Sequence, residues 1–148
     1  MVNNKYIKIE TISKAHQAII TEFNTYEPDL KEYLVEDALN HQNSKVSRTF
    51  LMFYNSSLVG YITLLCDSLR VEGELKKSFK NKNILYKTLP ALKIGRLAID
   101  DNFQRQGFGK RLLHLAYVYA KKISEEYSGC RFLILDAKRN KDPLKDSV

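Results

Sequence analysis

The sequence predicts an α+β fold of the mixed α/β kind, in which a mostly antiparallel sheet carries one parallel strand pair. Three observations predict it. Two β-rich runs, 48–54 and 58–65, are separated only by the turn residues Asn55, Ser56 and Ser57, which is hairpin spacing and implies antiparallel pairing. A strand at 91–99, a helix at 110–124 and a buried strand at 130–137 follow in order, and a strand–helix–strand crossover returns the chain parallel. Two amphipathic segments ahead of the hairpin supply helices to cover the sheet.

The elements follow in chain order. A short strand at 6–10 leads to Thr11 and Ser13, whose hydroxyls suit a helix N-cap, and Ile12, Ile19, Ile20 and Phe23 then recur at helical spacing. A second helix opens at Glu27-Pro28-Asp29, where the missing proline N–H and the acidic side chains fit a first turn. Its apolar stripe is Leu30, Tyr33, Leu34 and Ala38. After the hairpin, 67–89 reads as a short helix at 74–79 followed by basic loop. Pro90 opens the next strand, and Gly95 inside it predicts a bulge or a close backbone approach. The helix at 110–124 buries Leu112, Leu113, Ala116, Tyr119, Ala120 and Ile123, and Ser128-Gly129 ends it.

The chain has 148 residues and a hydrophobic fraction of 44%, which suits one domain with a core. No apolar run reaches the roughly 18–20 residues of a membrane span, and the start Met1-Val2-Asn3-Asn4-Lys5-Tyr6 is too polar for a signal peptide. The expectation is a cytoplasmic protein without membrane contact. Cys66 and Cys130 fall outside any CxxC or Cys/His cluster and read as free, partly buried thiols, with no metal site. The net charge of +7 is uneven: no acidic residue occurs between Leu75 and Ile99, while Lys76, Lys77, Lys80, Lys82, Lys87, Lys93 and Arg96 do. Such a surface favours a polyanion, either a nucleic acid or a phosphate-rich nucleotide.

The chemistry-bearing segment joins the strand at 91–99 to the helix at 110–124. It reads Asp100-Asp101-Asn102-Phe103, then Gln104-Arg105-Gln106-Gly107-Phe108-Gly109. A helix start presents unpaired N–H groups and the positive end of its dipole, and glycines let these amides close on an anion. Arg105, Lys110 and Arg111 crowd the same helix start with no acidic residue in the first turn, against the helix dipole. A local rule broken in this way points to an anionic ligand. The loop lacks the GKS/T of a Walker A and the GxGxxG of a dinucleotide fold.

The loop does match the Q/R-x-x-G-x-G/A signature of the GNAT acetyltransferases, with Gln104, Gly107 and Gly109 in the signature places, and Gly95-Arg96-Leu97-Ala98-Ile99-Asp100 resembles that family's fourth strand. The resemblance runs from about Phe23 to about Asp142 and is strongest between Leu92 and Lys138. Ser47-Arg48-Thr49, Gly60-Tyr61-Ile62 and Gly95-Arg96-Leu97-Ala98 look most like the toxin branch, which acetylates aminoacyl-tRNA. The resemblance implies helices on both faces of the sheet and a cofactor cleft between the parallel strands.

It further implies acetyl-CoA as cofactor, its pantetheine arm pairing with the backbone of Leu97, Ala98 and Ile99. The N–H groups of Gln106, Gly107, Phe108, Gly109 and Lys110 would hold the pyrophosphate, with charge from Arg105 and Lys110. Leu135, Asp136 and Ala137 would line the opposite wall, and Arg96 and Lys93 would bind the acceptor. The implied reaction is attack of a neutral amine on the acetyl thioester, with a fourth-strand N–H facing the developing oxyanion and an acid protonating the thiolate.

Asp100 is a candidate base or relay, although an aspartate there also reads as a loop cap. His41 and His114 read as structural. The family's usual acid is a tyrosine in an F-Y-x-x-x-G-F-like motif beyond the fifth strand, followed by further helix and strands. This sequence runs from Lys138 to Val148 without that motif, so no tyrosine is carried over as the acid. The expectation is therefore one domain, 1–148, lacking that terminal segment. Its function is acetyl transfer to a primary amine, with an aminoacyl-tRNA, a small molecule or a protein as acceptor, or silent binding of CoA or RNA. An antitoxin partner and a homodimer are implied by the toxin branch.

Overall fold

Residues 48–54 are apolar almost throughout because both faces of their strand are covered. In the computed structural model, which describes residues 1–135, β2 (Arg48–Tyr54) lies inside a five-stranded sheet. Phe50 and Met52 point to one face and Leu51 and Phe53 to the other, each pair joining a separate core cluster. The remaining strands are β1 (Ile7–Thr11), β3 (Ser57–Arg70), β4 (Thr88–Ile99) and β5 (Phe132–Leu135), in the order β1-β2-β3-β4-β5. All neighbours pair antiparallel except β4 and β5, which are parallel. The predicted mixed sheet is the one observed.

The first face is covered by α1 (Gln17–Ile20), α2 (Pro28–Glu32) and α3 (Ala38–Asn43), the last two joined by a π-helical turn at Tyr33–Asp37. Pro28 opens α2 as the sequence predicts, and Tyr33, Leu34 and Ala38 are buried. The first helix is shorter than its periodicity suggests. Ile12 continues the sheet by donating its N–H to the Thr49 carbonyl (2.9 Å), and only a 3-10 turn (Lys14–His16) and α1 follow. Ser13 caps that turn, accepting from the Ala15 N–H at 3.3 Å.

The second face is covered by α5 (Phe108–Lys122), which buries Phe108, Leu112, Ala116 and Ala120. The helix lies close against the sheet at Gly60, where a Cβ would stand 2.7 Å from Ile99 Cδ1 and 3.2 Å from Leu112 Cδ1. Leu113, read from periodicity as buried, is exposed: it is one step round the helix from Leu112 and overhangs the edge of the sheet's cover. Cys130 is partly buried, but Cys66 is exposed, contrary to its expected partial burial.

Residues 67–89 hold more order than their polarity suggests. β3 runs on to Arg70 and β4 starts at Thr88, so the two form a long ribbon in which Pro90 faces Ser68. Between them α4 (Gly73–Asn81) packs Phe79 against Val71 and Leu89 as a small third cluster.

Tyr61 ties the first face to the sheet. It is fully buried, and its hydroxyl donates to the Leu30 carbonyl at 2.6 Å. Burial pushes its pKa well above the ordinary 10.0, with nearby Arg96 opposing the shift. The folded state therefore holds the Tyr61 proton after the unfolded chain has released its own, so this stability is full below pH 10 and declines as pH rises above it. Tyr61→Phe should cost about 1 kcal/mol at neutral pH, because the Leu30 carbonyl loses the hydroxyl and keeps a Tyr33 N–H that it shares with Asp29. It should also reduce the fall in stability above pH 10; an unchanged alkaline limb in urea melts across pH would contradict this assignment.

Candidate functional site

The parallel pair is short. β5 faces β4 from Ala91↔Phe132 to Ile94↔Leu135, and β4 then continues to Ile99 without a strand on that side among the described residues. Beside this free length lies a cleft of about 690 Å3. Leu65, Leu97, Leu113 and Leu135 give it apolar walls, and Glu27, Asp29, Lys93 and Arg96 bring charge to it. The exposure of Leu113 thus has a place in the site: it is a cleft wall.

Gly95 is the extra residue where the β3–β4 register shifts, Thr63 facing Arg96 and Leu64 facing Ile94. The predicted bulge is there, and it marks the point where β4 leaves β5. Arg96, directly after it, lays its guanidinium 3.6 Å from the centre of the Tyr33 ring. The Tyr33 hydroxyl in turn shares hydrogen bonds with Ser47 Oγ (2.9 Å) and His41 Nδ1 (3.2 Å). Lys93 Nζ lies 3.4 Å from Asp67 Oδ2. The Ser68 N–H, donated to Asp67 at 2.7 Å, together with Lys93, holds that carboxyl below its ordinary pKa. His114 stacks on Tyr117.

The loop after β4 is built around Asp100, which is buried. Its Oδ2 accepts from the Asn24 N–H and its Oδ1 from the Asn102 N–H, each at 2.9 Å, and a 3-10 turn (Asp101–Phe103) follows. Gln104 folds back and donates from Nε2 to the Ile99 carbonyl at 2.8 Å, fixing the loop to the end of β4. Both Asp100 oxygens are thereby occupied by backbone donors, which fits a loop cap. Asp100→Asn should cost about 1–3 kcal/mol in stability, since the amide nitrogen cannot accept one of these bonds. Its effect on any acetyl transfer should track that loosening without moving the pH profile of the rate; a displaced profile would mark Asp100 as the base.

Arg105 (φ 60°) and Gly107 (φ 85°) both take left-handed backbone, alternate positions that turn successive amides toward one side. Gly107 is the N-cap of α5 and supplies no side-chain cap. The N–H groups from Gln106 to Lys110 have no acceptor among the described residues; the first amide in the turn to find one is Arg111, which donates to the Gly107 carbonyl at 3.3 Å. Arg105 and Lys110 are exposed beside these amides. Arg111 is used differently from the sequence expectation: Nε donates to Asn4 Oδ1 (2.9 Å) and Nη1 to the Gly107 carbonyl (3.2 Å), bracing the loop from behind.

The structure brings Lys93, Arg96 and Leu97 to one cleft, sets Ala98 and Ile99 beyond them at the end of β4, and places Gln104, Arg105, Gln106 and Gly107 in the loop that follows, with Phe108, Gly109 and Lys110 in the first turn of α5. Phe108 differs from its neighbours on either side in being fully buried. Asp136 and Ala137 lie outside the described residues. Neither Tyr33 nor Leu113 is legible in the sequence as a site residue. The aromatic partner of Arg96 lies 63 positions away and leaves no local signal, whereas the break from burial at Leu113 is a feature only packing reveals. Among the described residues no group of three or more His, Cys, Asp or Glu is placed to hold a metal ion, and no helix is long and apolar enough to cross a membrane.

A model of the acetyltransferase (GNAT) family matches residues 13–143, and the chain belongs to that family. The solved structures it resembles include toxin-like members of the family. A point mutant of KacT is 29% identical, with 92% of this chain and 81% of that chain covered and a TM-score of 0.77. AtaT complexed with acetyl-methionyl-tRNAfMet is 25% identical over 95% of this chain and 84% of that one, with a TM-score of 0.75. AtaTR bound with acetyl-CoA is 26% identical over 97% and 84%, with a TM-score of 0.72.

Proposed function

We propose that residues 1–148 act as one cytoplasmic domain that transfers an acetyl group from acetyl-CoA to a primary amine, and that this amine is the amino group of an aminoacyl-tRNA. The observation that carries the reading is the run of amides from Gln106 to Lys110 with no acceptor among the described residues, opening α5 at the end of a β4 edge that lines a cleft with leucine walls. The fit to acetyl-CoA is chemical on both counts: a diphosphate needs convergent N–H donors and positive charge, and an extended amide-bearing arm needs a free strand edge.

Acetyl-CoA, when bound, supplies an activated acetyl thioester. The chain would hold its diphosphate at the α5 amides, with Arg105 and Lys110 adding charge. The backbone of Leu97, Ala98 and Ile99 would align its arm. Leu65, Leu97, Leu113 and Leu135 would keep water from the reacting end. Arg96, pinned on Tyr33, and Lys93 would face the acceptor. Support for the acceptor comes from the similarity to AtaT, seen with acetyl-methionyl-tRNAfMet, and from the basic surface. An antitoxin and a second copy of the chain are partners on the same reading.

Two measurements test it. Acetyl-CoA at about 100 times its dissociation constant should stabilise the fold by about 2.7 kcal/mol, and the absence of heat or of a melting shift would remove the reading. Offered aminoacyl-tRNA, polyamines, aminoglycosides and peptides, the chain should acetylate the aminoacyl-tRNA; transfer to another amine alone would replace the acceptor and leave the transferase.

A further inference from the structure

The basic segment noted in the sequence is, in the structure, a surface of its own. α4 faces inward with Leu75 and Phe79 and outward with Lys76, Lys77 and Lys80. The two acids of the segment are matched locally, Glu72 by Arg70 (2.9 Å) and Glu74 by Lys77 (3.4 Å). Lys76, Lys80 and Lys87 are exposed and have no acidic partner among the described residues. Arg131, entering β5, adds a further cation: its guanidinium stands 5.2 Å from the Phe79 ring centre. Directly before Lys87 in the chain, Tyr86 and Leu85 are exposed at 77% and 74%.

Exposed cations without an acidic partner, together with an exposed aromatic ring, are the pairing that single-stranded nucleic acid uses, its phosphates against the cations and a base against the ring. From Leu89, packed beneath α4, to Gly95 at the cleft, β4 advances six residues, roughly 20 Å. A ligand on this surface is therefore remote from the reacting amine but can belong to the same large acceptor.

We infer that α4 and the segment after it form an RNA-docking surface, in which Lys76, Lys80 and Lys87 contact phosphates and Tyr86 stacks on an unpaired base. It rests on the acceptor half of the reading above and adds where the RNA body is held. Lys76 and Lys80 are exposed on α4, where alanine favours helix, and Lys87 is exposed in the bend before β4, so replacing the three side chains removes no core contact.

The test uses the full chain, a mixed pool of deacylated tRNA and a salt series. The variant Lys76→Ala/Lys80→Ala/Lys87→Ala should bind RNA about tenfold or more weakly at low salt, and its plot of log affinity against log salt should be shallower by about 2. Tyr86→Ala should weaken binding about fivefold or more with the slope kept. Acetyl-CoA binding, read by melting shift, should be unchanged in both. RNA binding that ignores all of these residues overturns the inference, as does binding of acetyl-CoA by a chain that binds no RNA. Lysine-dependent binding to phosphatidylserine vesicles with none to RNA also overturns it. Lysine-dependent RNA binding without any acetyl-CoA binding supports the inference while removing the transferase reading.

Discussion

Gly109→Asp should make the protein slightly more stable and nearly unable to bind acetyl-CoA. Gly109 is the second residue of α5, and a Cβ there meets only Ile99 Cγ1 at 3.9 Å, an ordinary contact. An aspartate therefore costs nothing in packing. It improves on glycine in helix propensity and places a negative charge at the positive end of a helix whose first turn has none, together worth about 0.3–1 kcal/mol. The same carboxylate would occupy the amides proposed for the diphosphate and repel it. Losing two charge-assisted hydrogen bonds of about 1.5–3 kcal/mol each predicts a drop in affinity of about 100-fold or more. Opposite signs in stability and binding separate a ligand site from an ordinary helix start. Calorimetric titration and urea melts of the same variant check both, and a stabilised variant that still binds normally would contradict the assignment.

Phe108→Ala should have the largest effect on the fold. Phe108 is fully buried at the first position of α5, its ring 5.4 Å from that of Tyr54 and 6.2 Å from that of Phe103, in one cluster with Met52, Ile62 and Leu112. Truncation leaves a cavity at the root of the loop and should cost about 3–5 kcal/mol, a large share of the 5–15 kcal/mol typical of a domain. Phe108→Leu, which refills most of the space, should cost much less. Acetyl-CoA affinity should fall with the alanine variant as well, because the ring fixes the backbone that aims the amides. A urea midpoint displaced by less than the equivalent of about 1 kcal/mol would mean that the loop is not anchored through this ring.

These two neighbours show how much the sequence carried. Gly107, Phe108 and Gly109 were legible as a loop because glycine spacing, a preceding strand and a following amphipathic helix are all local signals. The division of labour among them was not. That Phe108 points into the core while Gly109 stands open depends on how α5 is set on the sheet, which Gly60 permits by having no side chain. The left-handed Arg105 was equally hidden, since a non-glycine residue gives no sign that it will turn that way.

The same distinction holds across the fold. The hairpin of β2 and β3 was legible up to residue 65 because β-rich runs and turn residues mark it. The continuation of β3 to Arg70 was not, because Asp67 and Ser68 are exposed and the ribbon there is held by its partner strand, without a buried face to impose alternation. The position of Arg111 alone marks it as a loop cation. Its bonds to Asn4 and to the Gly107 carbonyl bring together residues far apart in the chain, which spacing cannot foresee.

The most direct test is an amide-resolved NMR titration of the full chain with acetyl-CoA. The account predicts that the largest displacements fall on the N–H signals from Gln106 to Lys110, followed by those of Leu97, Ala98 and Ile99 along β4. Binding that leaves the amides at the start of α5 unmoved would contradict it.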